Sequence, residues 1–563
     1  MKRSYTPYVL VMIMLISAGP GLKSQGLFIN AAGERIQACT DRTMYISGEK
    51  VLFSVQVYNE KDHFAKGFSR ICYCELITPD GKMLAAEKYL LTNSFGEGCL
   101  TIPRETISGI YFLKFYTRFM RNISTAEYKY IMLKIINPDK TEVLSGEDTS
   151  VPGIKSGESI IKGGAALSVN FQSGKKTFST SEEIRLNITI GKHESIPVSL
   201  CLSVIPESTY HDSFYPEKNK QDSVYKGVYF PETRGVSLSG HLIAKGSGKP
   251  VTGAKVDLSI IGNKDILVVR TDTSGRFFFA LPDYHGNKDI FLYSDDFHGI
   301  TPEILIDNDF CSRPVFLPSP LFTLDEKEMK AAYKLAVNFR LTSVFGEDSI
   351  VNTSSPEQNN PPFYGNPSEV LTINKYIDLP TLDEYFTQLP SVVNLRKIQG
   401  RKQFRFFTVQ EEMSAYDPLV LVDWVAVNDI EKILAMSPHA IERIELVNSL
   451  YIKGNITYGG IISFVSRKND FAGIDLPKSG TFINYCFLED CTETLPVSPL
   501  HMNIPDSRNT VYWNPAVHLN DDGTSGISFK APGTPGKYYI LLRGMGINGE
   551  VILTEETIDV AGN

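Results

Sequence analysis

The sequence has little from which to build a nucleic-acid surface, a membrane helix or a hydrolytic centre. Positive charge is not in excess: 56 Lys and Arg stand against 64 Asp and Glu, a formal net charge of −8, which excludes the basic footprint of a nucleic-acid binder. Beyond the N-terminus no apolar run approaches the ~20 residues that a bilayer-spanning helix needs. Cysteine is sparse: eight residues (39, 72, 74, 99, 201, 311, 486 and 491) in a chain of 563 form an even set but not the framework of the fold. The spacing of Cys486 and Cys491 permits a bridge and leaves that pairing open. The nine histidines fall in turns and linkers, and no Gly-x-Ser-x-Gly elbow accompanies them. An apolar content of 42% excludes wholesale disorder.

What is present begins with an export signal. Lys2 and Arg3 precede the apolar run Tyr8 to Ile16, followed by small residues and Pro20, the form of a secretory signal peptide. Cleavage is expected near Ser24 and Gln25, so 1–24 reads as the signal peptide. No Cys adjoins that point, and lipid attachment is not expected. The length exceeds the roughly 250 to 300 residues at which single cores stop growing, so several domains are predicted.

From 27 to 138 the chain runs in short alternating segments, "TMYISGEKVLFSVQVY", "SRICYCELITPDGKMLAAEKYLL", "GCLTIPRETISGIYFLKFYTRFMRN" and "AEYKYIMLKIINP", broken by Gly-containing turns. Such alternation predicts a β-sandwich. "TDRTMYISGEKVLF", the "PDGK" hairpin and "SGIYFLKFYTRFMRN" resemble the macroglobulin-like β-domain of bacterial envelope proteins. The Cys-Gly-Glu-Gln thioester of true macroglobulins is missing, the nearest text being "GEGC" (Gly96 to Cys99). Cys72 and Cys74 sit two apart on one strand face and read as core thiols rather than metal ligands. Residues 139–164 read as a linker. Three strands in 165–208 are too few to close a sandwich, and four more lie in 500–563. The two stretches are expected to form a second macroglobulin-like sandwich, with everything between them inserted.

Within the insert, 225–311 carries Gly240, "GKPVTGAKV" and "DTSGRF", and resembles the carboxypeptidase regulatory-like domain, a transthyretin-like β-sandwich that is not the catalytic part of the enzymes bearing it. Residues 312–372 read as a helix (Leu324 to Phe345) followed by a Pro/Asn/Ser-rich mobile linker. In 373–474, "YIDLPTLDEYF" predicts a helix and "KIQGRKQFRFFTV" a hairpin. "DPLVLVDWVAVND" predicts a strand, a turn at Asp423 and Trp424, and a second strand. "DIEKILAMSPHAIERIELVN" predicts two helical pieces, the second opened by Ser437 and Pro438, and "YGGIISFVSRK" predicts a final strand. This order resembles the plug domain of TonB-dependent outer-membrane receptors, with Trp424 where such plugs usually carry Gly; that Trp either packs on a neighbouring domain or contacts a ligand. A transporter barrel needs hundreds of further residues in alternating segments, and fewer than 100 follow Lys468, so no pore is expected. Residues 475–499 read as a linker.

Chemistry-bearing patterns are few. His439 and Glu442 have a His-x-x-Glu spacing to which His501 or His518 would add a third zinc ligand, but the segment reads as the start of a packed plug element. Asp521 and Asp522 in "HLNDDGTSG" read as a hairpin turn rather than a calcium loop. Arg396, Lys397, Arg401, Lys402 and Arg405 bracket a Gly turn and suit either solvent or an acidic partner or lipopolysaccharide.

The expectation is therefore a mostly β, multidomain protein: immunoglobulin/macroglobulin-like sandwiches, a transthyretin-like sandwich and a small α/β plug-like domain. The resemblances imply a Bacteroidota-type envelope protein, in the periplasm or at the cell surface and associated with the outer membrane. No catalytic residue, cofactor or metal is assigned. The expected function is binding of another envelope protein or an extracellular polymer or peptide. An alternative is an accessory role in a TonB-dependent uptake complex, docked on a transporter.

Overall fold

Period-two alternation becomes strand wherever one face can be buried. In Glu183–Ile190, Ile184, Leu186 and Ile188 point into a core while Glu183 and Arg185 face solvent, as a half-buried strand requires. The computed structural model describes residues 33–59, 67–146, 167–171, 174–190, 199–211, 228–315, 317–345, 361–398, 400–407, 411–477, 479–489, 506–545 and 551–562. The signal-peptide stretch, Cys491 and His501 lie outside them. The protein is mostly β and multidomain.

The first sandwich faces a three-stranded sheet (Glu34–Thr40, Lys50–Asn59, Phe95–Thr101) against a five-stranded one (Met44–Ile46, Lys129–Ile136, Gly109–Tyr116, Ile71–Ile77, Met83–Leu90). Ile71–Ile77 and Gly109–Tyr116 are buried along their whole length, because their second face is covered by the third sandwich. That covered face is polar: Glu75 lies opposite Lys114, with the ammonium 2.8 Å from the carboxylate, and Tyr73 stacks on Tyr116 at 5.3 Å. Buried charges require such partners. Cys72 and Cys74 are buried core thiols that burial pushes well above the usual thiol range.

The second sandwich is built from two stretches far apart in the chain, 167–206 and 512–561. Glu183–Ile190 pairs with Thr524–Lys530 and Leu167–Phe171, and Ser199–Pro206 pairs with Gly536–Met545 and Tyr512–Asn514. Ile184, Leu186, Leu202, Val204, Ile540 and Ile558 share its core. Arg42, on the first sandwich, bonds Glu49 (2.8 Å) and Thr510 (3.1 Å), while Asn509 donates to Glu49 (2.6 Å) and to the Leu335 carbonyl (3.0 Å). The helix Glu326–Phe345 seats Ala332 and Leu335 on Met44 and Ile46.

The third sandwich packs Arg276–Ala280, Ser237–Ala244 and Pro302–Ile306 against Ile266–Arg270, Lys255–Ile260, Asn287–Tyr293 and Thr481–Cys486. The last strand corrects the linker reading of 475–499: Thr481–Cys486 runs antiparallel to Asn287–Tyr293, and Tyr485 is buried. The open Cys486–Cys491 pairing is also decided against: Cys486 is a free thiol that donates to Glu87 at 3.2 Å, whereas Cys99 is disulfide-bonded.

The α/β unit has the sheet order Glu369–Thr372, Ile441–Val447, Ile461–Ser466, Leu419–Val422, Val425–Ala426. Glu369–Thr372 is thus a strand, where 312–372 reads as helix and linker. The helix expected after Ser437 is also corrected. Pro438–Ala440 makes one 3-10 turn and Ile441–Val447 is a strand, because its backbone pairs on both sides, with Ile461–Ser466 and with Glu369–Thr372. The helix Leu382–Gln388 is capped by Thr381, which accepts from the Glu384 amide, and Ile430–Leu434 is capped by Asp429, in keeping with N-cap chemistry.

Candidate binding site

The basic hairpin is a two-stranded ribbon, Val393–Ile398 with Arg401–Phe406, closed by Gly400 at φ 85°. A two-residue loop of this kind needs left-handed backbone, which glycine adopts without a Cβ penalty. The register places Asn394 opposite Arg405, Arg396 opposite Gln403 and Ile398 opposite Arg401. Directly opposed residues share a face, so Arg396, Arg401 and Arg405 lie together. Leu395 and Phe404 occupy the reverse face, where the Phe404 ring sits 4.7 Å from Phe386 and 6.5 Å from Phe464. The ribbon is held by its apolar side and displays its arginines.

A cavity of about 180 Å³ opens beside that face, walled by Arg396, Arg405, Phe406, Met413, Tyr416 and Gly459 among others, none of them a carboxylate. Its floor depends on the Gly459–Gly460 pair. A Cβ at 459 would collide with the carbonyl oxygens of Met413 and Tyr416, and one at 460, where φ is 109°, with the Phe406 ring. Arg405 is engaged, 2.6 Å from Asp417 and 2.8 Å from the Gln403 side-chain oxygen. Among the described residues Arg396, Lys397 and Arg401 have no ion-pair partner, whereas Lys402 pairs with Asp383 at 2.6 Å on the other face. Apolar surface rims the cations: Ile398 is 37%, Tyr416 42% and Phe407 45% exposed.

The other candidates do not assemble. His439 is 75% exposed and 3.5 Å from Asp378; Glu442 projects from a strand one turn away, and His518 is exposed on a different sandwich. No group of three or more His, Cys, Asp or Glu among the described residues is placed to hold a metal ion. Asp522 accepts from the Thr524 amide (3.0 Å) and hydroxyl (2.6 Å), closing a hairpin turn. Trp424, at φ 61° after Asp423 at φ 45°, is 8% exposed and packs with Ile266 and Val268 of the third sandwich. Its indole is an interdomain anchor.

Two features have no local signature in the sequence. Met413 and Tyr416 belong to a short 3-10 segment and its exit, with no periodicity to mark them as a wall of the cavity. Cys39 and Cys201 meet where the first and second sandwiches join, beside Arg543. The space there, about 10 Å³, holds a single water at most. A hydrogen bond from Cys201, aided by Arg543 and Lys129, lowers the Cys39 thiol to about 6 against the effect of burial.

No protein-family profile matches this chain, and no curated protein matches it. Among solved structures, Salmonella alpha-2-macroglobulin reacted with methylamine aligns over 94% of this chain and 39% of its own length, at 8% identity and a TM-score of 0.24. Escherichia coli alpha-2-macroglobulin activated by porcine elastase aligns over 94% and 44%, at 10% identity and 0.24. The Yersinia pseudotuberculosis adhesin InvE aligns over 77% and 93%, at 10% identity and 0.13. The chain spans less than half the length of those two macroglobulins. Scores this low carry no argument, and the β-sandwich architecture rests on the sheets themselves. No helix among the described residues is long and apolar enough to cross a membrane.

Proposed function

We propose that this chain is an exported, non-catalytic cell-envelope protein that binds another envelope protein or an extracellular polymer or peptide. The observation that carries this reading is the arginine-faced ribbon and its cavity: unpaired guanidinium groups beside exposed apolar side chains are an arrangement suited to recognition, since arginine and aromatic groups dominate the centres of interfaces. The macroglobulin-like, regulatory-like and plug-like characters of the domains, and an outer-membrane-associated location, belong to the same proposal. They rest on the motifs "TDRTMYISGEKVLF", "GKPVTGAKV" with "DTSGRF", "PLVLVDWVAVND" and "YGGIISFVSRK", and on the signal-like N-terminus. In this reading the plug-like unit is a docking module. The test is an affinity pull-down of the tagged chain from detergent-solubilised envelopes, followed by mass spectrometry and by direct assays against polysaccharides and peptides. A stoichiometric partner or polymer supports the proposal, a barrel protein in particular supporting the accessory uptake role; recovery of the chain alone, with no polymer or peptide bound, overturns it.

A further inference from the structure

We propose that the arginine ribbon and its cavity form a docking site for an acidic, extended segment of a protein partner, which sets carboxylates on Arg396 and Arg401 and lodges one aromatic or aliphatic side chain in the cavity. This rests on the binding role proposed above and specifies its ligand.

The spacing comes from strand geometry. Arg405, Arg396 and Arg401 occupy successive two-residue levels of the ribbon, alternating between its strands. Each level is about 6.6 Å further along and each crossing about 4.8 Å, so neighbouring arginines stand about 8 Å apart at the backbone. An extended peptide repeats its side chains on one face with the same two-residue rise. Acidic residues at alternating positions therefore come within reach of successive guanidinium groups. Arginine suits carboxylates because its planar fork donates two parallel hydrogen bonds. The ribbon also pairs with no other strand among the described residues, which leaves edge amides and carbonyls for main-chain docking.

The cavity selects the second part of the ligand. At about 180 Å³ it exceeds the ~150 Å³ that accommodates a benzene molecule, and Phe406, Met413 and Tyr416 supply ring and thioether contacts. It holds one side chain, not an acyl chain, which favours a peptide over an anionic lipid. Arg405 does not offer its full charge, being already paired with Asp417. On this face Arg396 and Arg401 are the cations that remain available, Lys397 lying with Lys402 on the other.

The test uses the full chain and a fluorescein-labelled peptide, Gly-Phe-Ser-Asp-Ser-Asp-Ser-Glu-Gly, in anisotropy titrations at low and physiological salt. Expected are saturable binding that weakens with salt, a loss of about tenfold when the three acids become amides, and a similar loss in the Arg396→Glu, Arg401→Glu double variant. Both arginines are exposed, and an unchanged circular dichroism spectrum and melting curve establish that the variant folds. Phe→Ala in the peptide and Tyr416→Ala in the protein should each weaken binding about threefold or more. The proposal is overturned if the amide peptide binds as well as the acidic one, if the double variant binds normally, or if lipopolysaccharide micelles bind in an arginine-dependent way and the peptide does not. If the peptide fails while the double variant still captures the same partner from envelopes, this site assignment falls and the broader binding role stands.

Discussion

Lys88 and Asp309, 221 positions apart, meet in an ion pair of 2.6 Å with the lysine only 1% exposed. The Lys88 ammonium also donates to the Tyr485 hydroxyl (3.0 Å) and the Cys486 carbonyl (2.7 Å). One side chain of the first sandwich thereby ties together the loop after Pro302–Ile306 and the late strand Thr481–Cys486.

Removing the lysine alone leaves the Asp309 carboxylate without its counter-charge, and the loss of one partner from a buried pair costs about 3–5 kcal/mol. Lys88→Ala is expected to destabilise the junction by that amount, read as a lower urea midpoint for the first unfolding transition. Lys88→Met combined with Asp309→Leu, which removes both charges, should recover most of the loss. An unchanged midpoint in Lys88→Ala would show that the pair does not hold the junction.

Trp424 is the anchor of the α/β unit on the third sandwich. Trp424→Ala vacates the space against Ile266 and Val268, a truncation that costs about 3–5 kcal/mol in a packed core. The measurement is hydrogen exchange: amides of Ile266–Arg270 and Val425–Ala426 should exchange faster, while those of Glu183–Ile190, in the second sandwich, keep their rates. Uniform acceleration throughout the chain would contradict a local anchoring role.

Cys39 should behave as a thiolate near neutral pH. The hydrogen bond from Cys201 and the charges of Arg543 and Lys129 lower it to about 6 despite burial, whereas burial pushes Cys72 and Cys74 up and Cys486 up to about 12. Because the thiolate is the nucleophile, iodoacetamide at pH 7 is expected to modify Cys39 before those three, with a rate midpoint below that of an ordinary thiol. Cys201→Ala should move that midpoint upward. A Cys39 rate that rises only above pH 8 would refute the assignment.

Burial alone would raise the Asp506 carboxyl, but Arg508, which donates to both its oxygens at 2.7 and 2.6 Å, and the Gly533 amide hold it below the usual carboxylate range. A carboxyl depressed in the folded state adds stability above its unfolded value of about 3.9, and that contribution fades as the pH falls through the folded value. Asp506→Asn should therefore lower thermal stability at pH 7 and have a shrinking effect below about pH 4. An equal penalty at pH 7 and pH 3 would assign the loss to packing instead.

The patterns that were legible are those in which a residue's burial depends on its own strand. "EEIRLNITI" alternates and Glu183–Ile190 is half-buried; "GRKQFRF" turns at Gly400. The pattern misled at "HAIERIELVN", where Ile441 and Ile444 stand three apart, the step of a helix face. The register slips between Ile441 and Arg443 in the pairing with Ile461–Ser466, and such an irregularity breaks strict alternation, so a strand acquires the look of a helix. Thr481–Cys486 is an edge strand that exposes Phe482 and Asn484 and buries Tyr485, and its place is set by pairing with the distant Asn287–Tyr293, which nothing local announces. The five cations of the ribbon were visible, but not which of them would be neutralised: Asp383 and Asp417 take Lys402 and Arg405, and Arg396, Lys397 and Arg401 remain, the two arginines on one face.

The sequence by itself determined the composition limits, most strand segments and the turns, because alternation, glycine and capping residues act over a few positions. Only the tertiary structure decided that Cys39 meets Cys201, that Trp424 is an anchor, and that Met413 and Tyr416 wall one cavity with Arg396 and Arg405. Those outcomes depend on strand pairing and on burial between segments that are not adjacent in the sequence, and no local pattern encodes which distant surface will cover a given face.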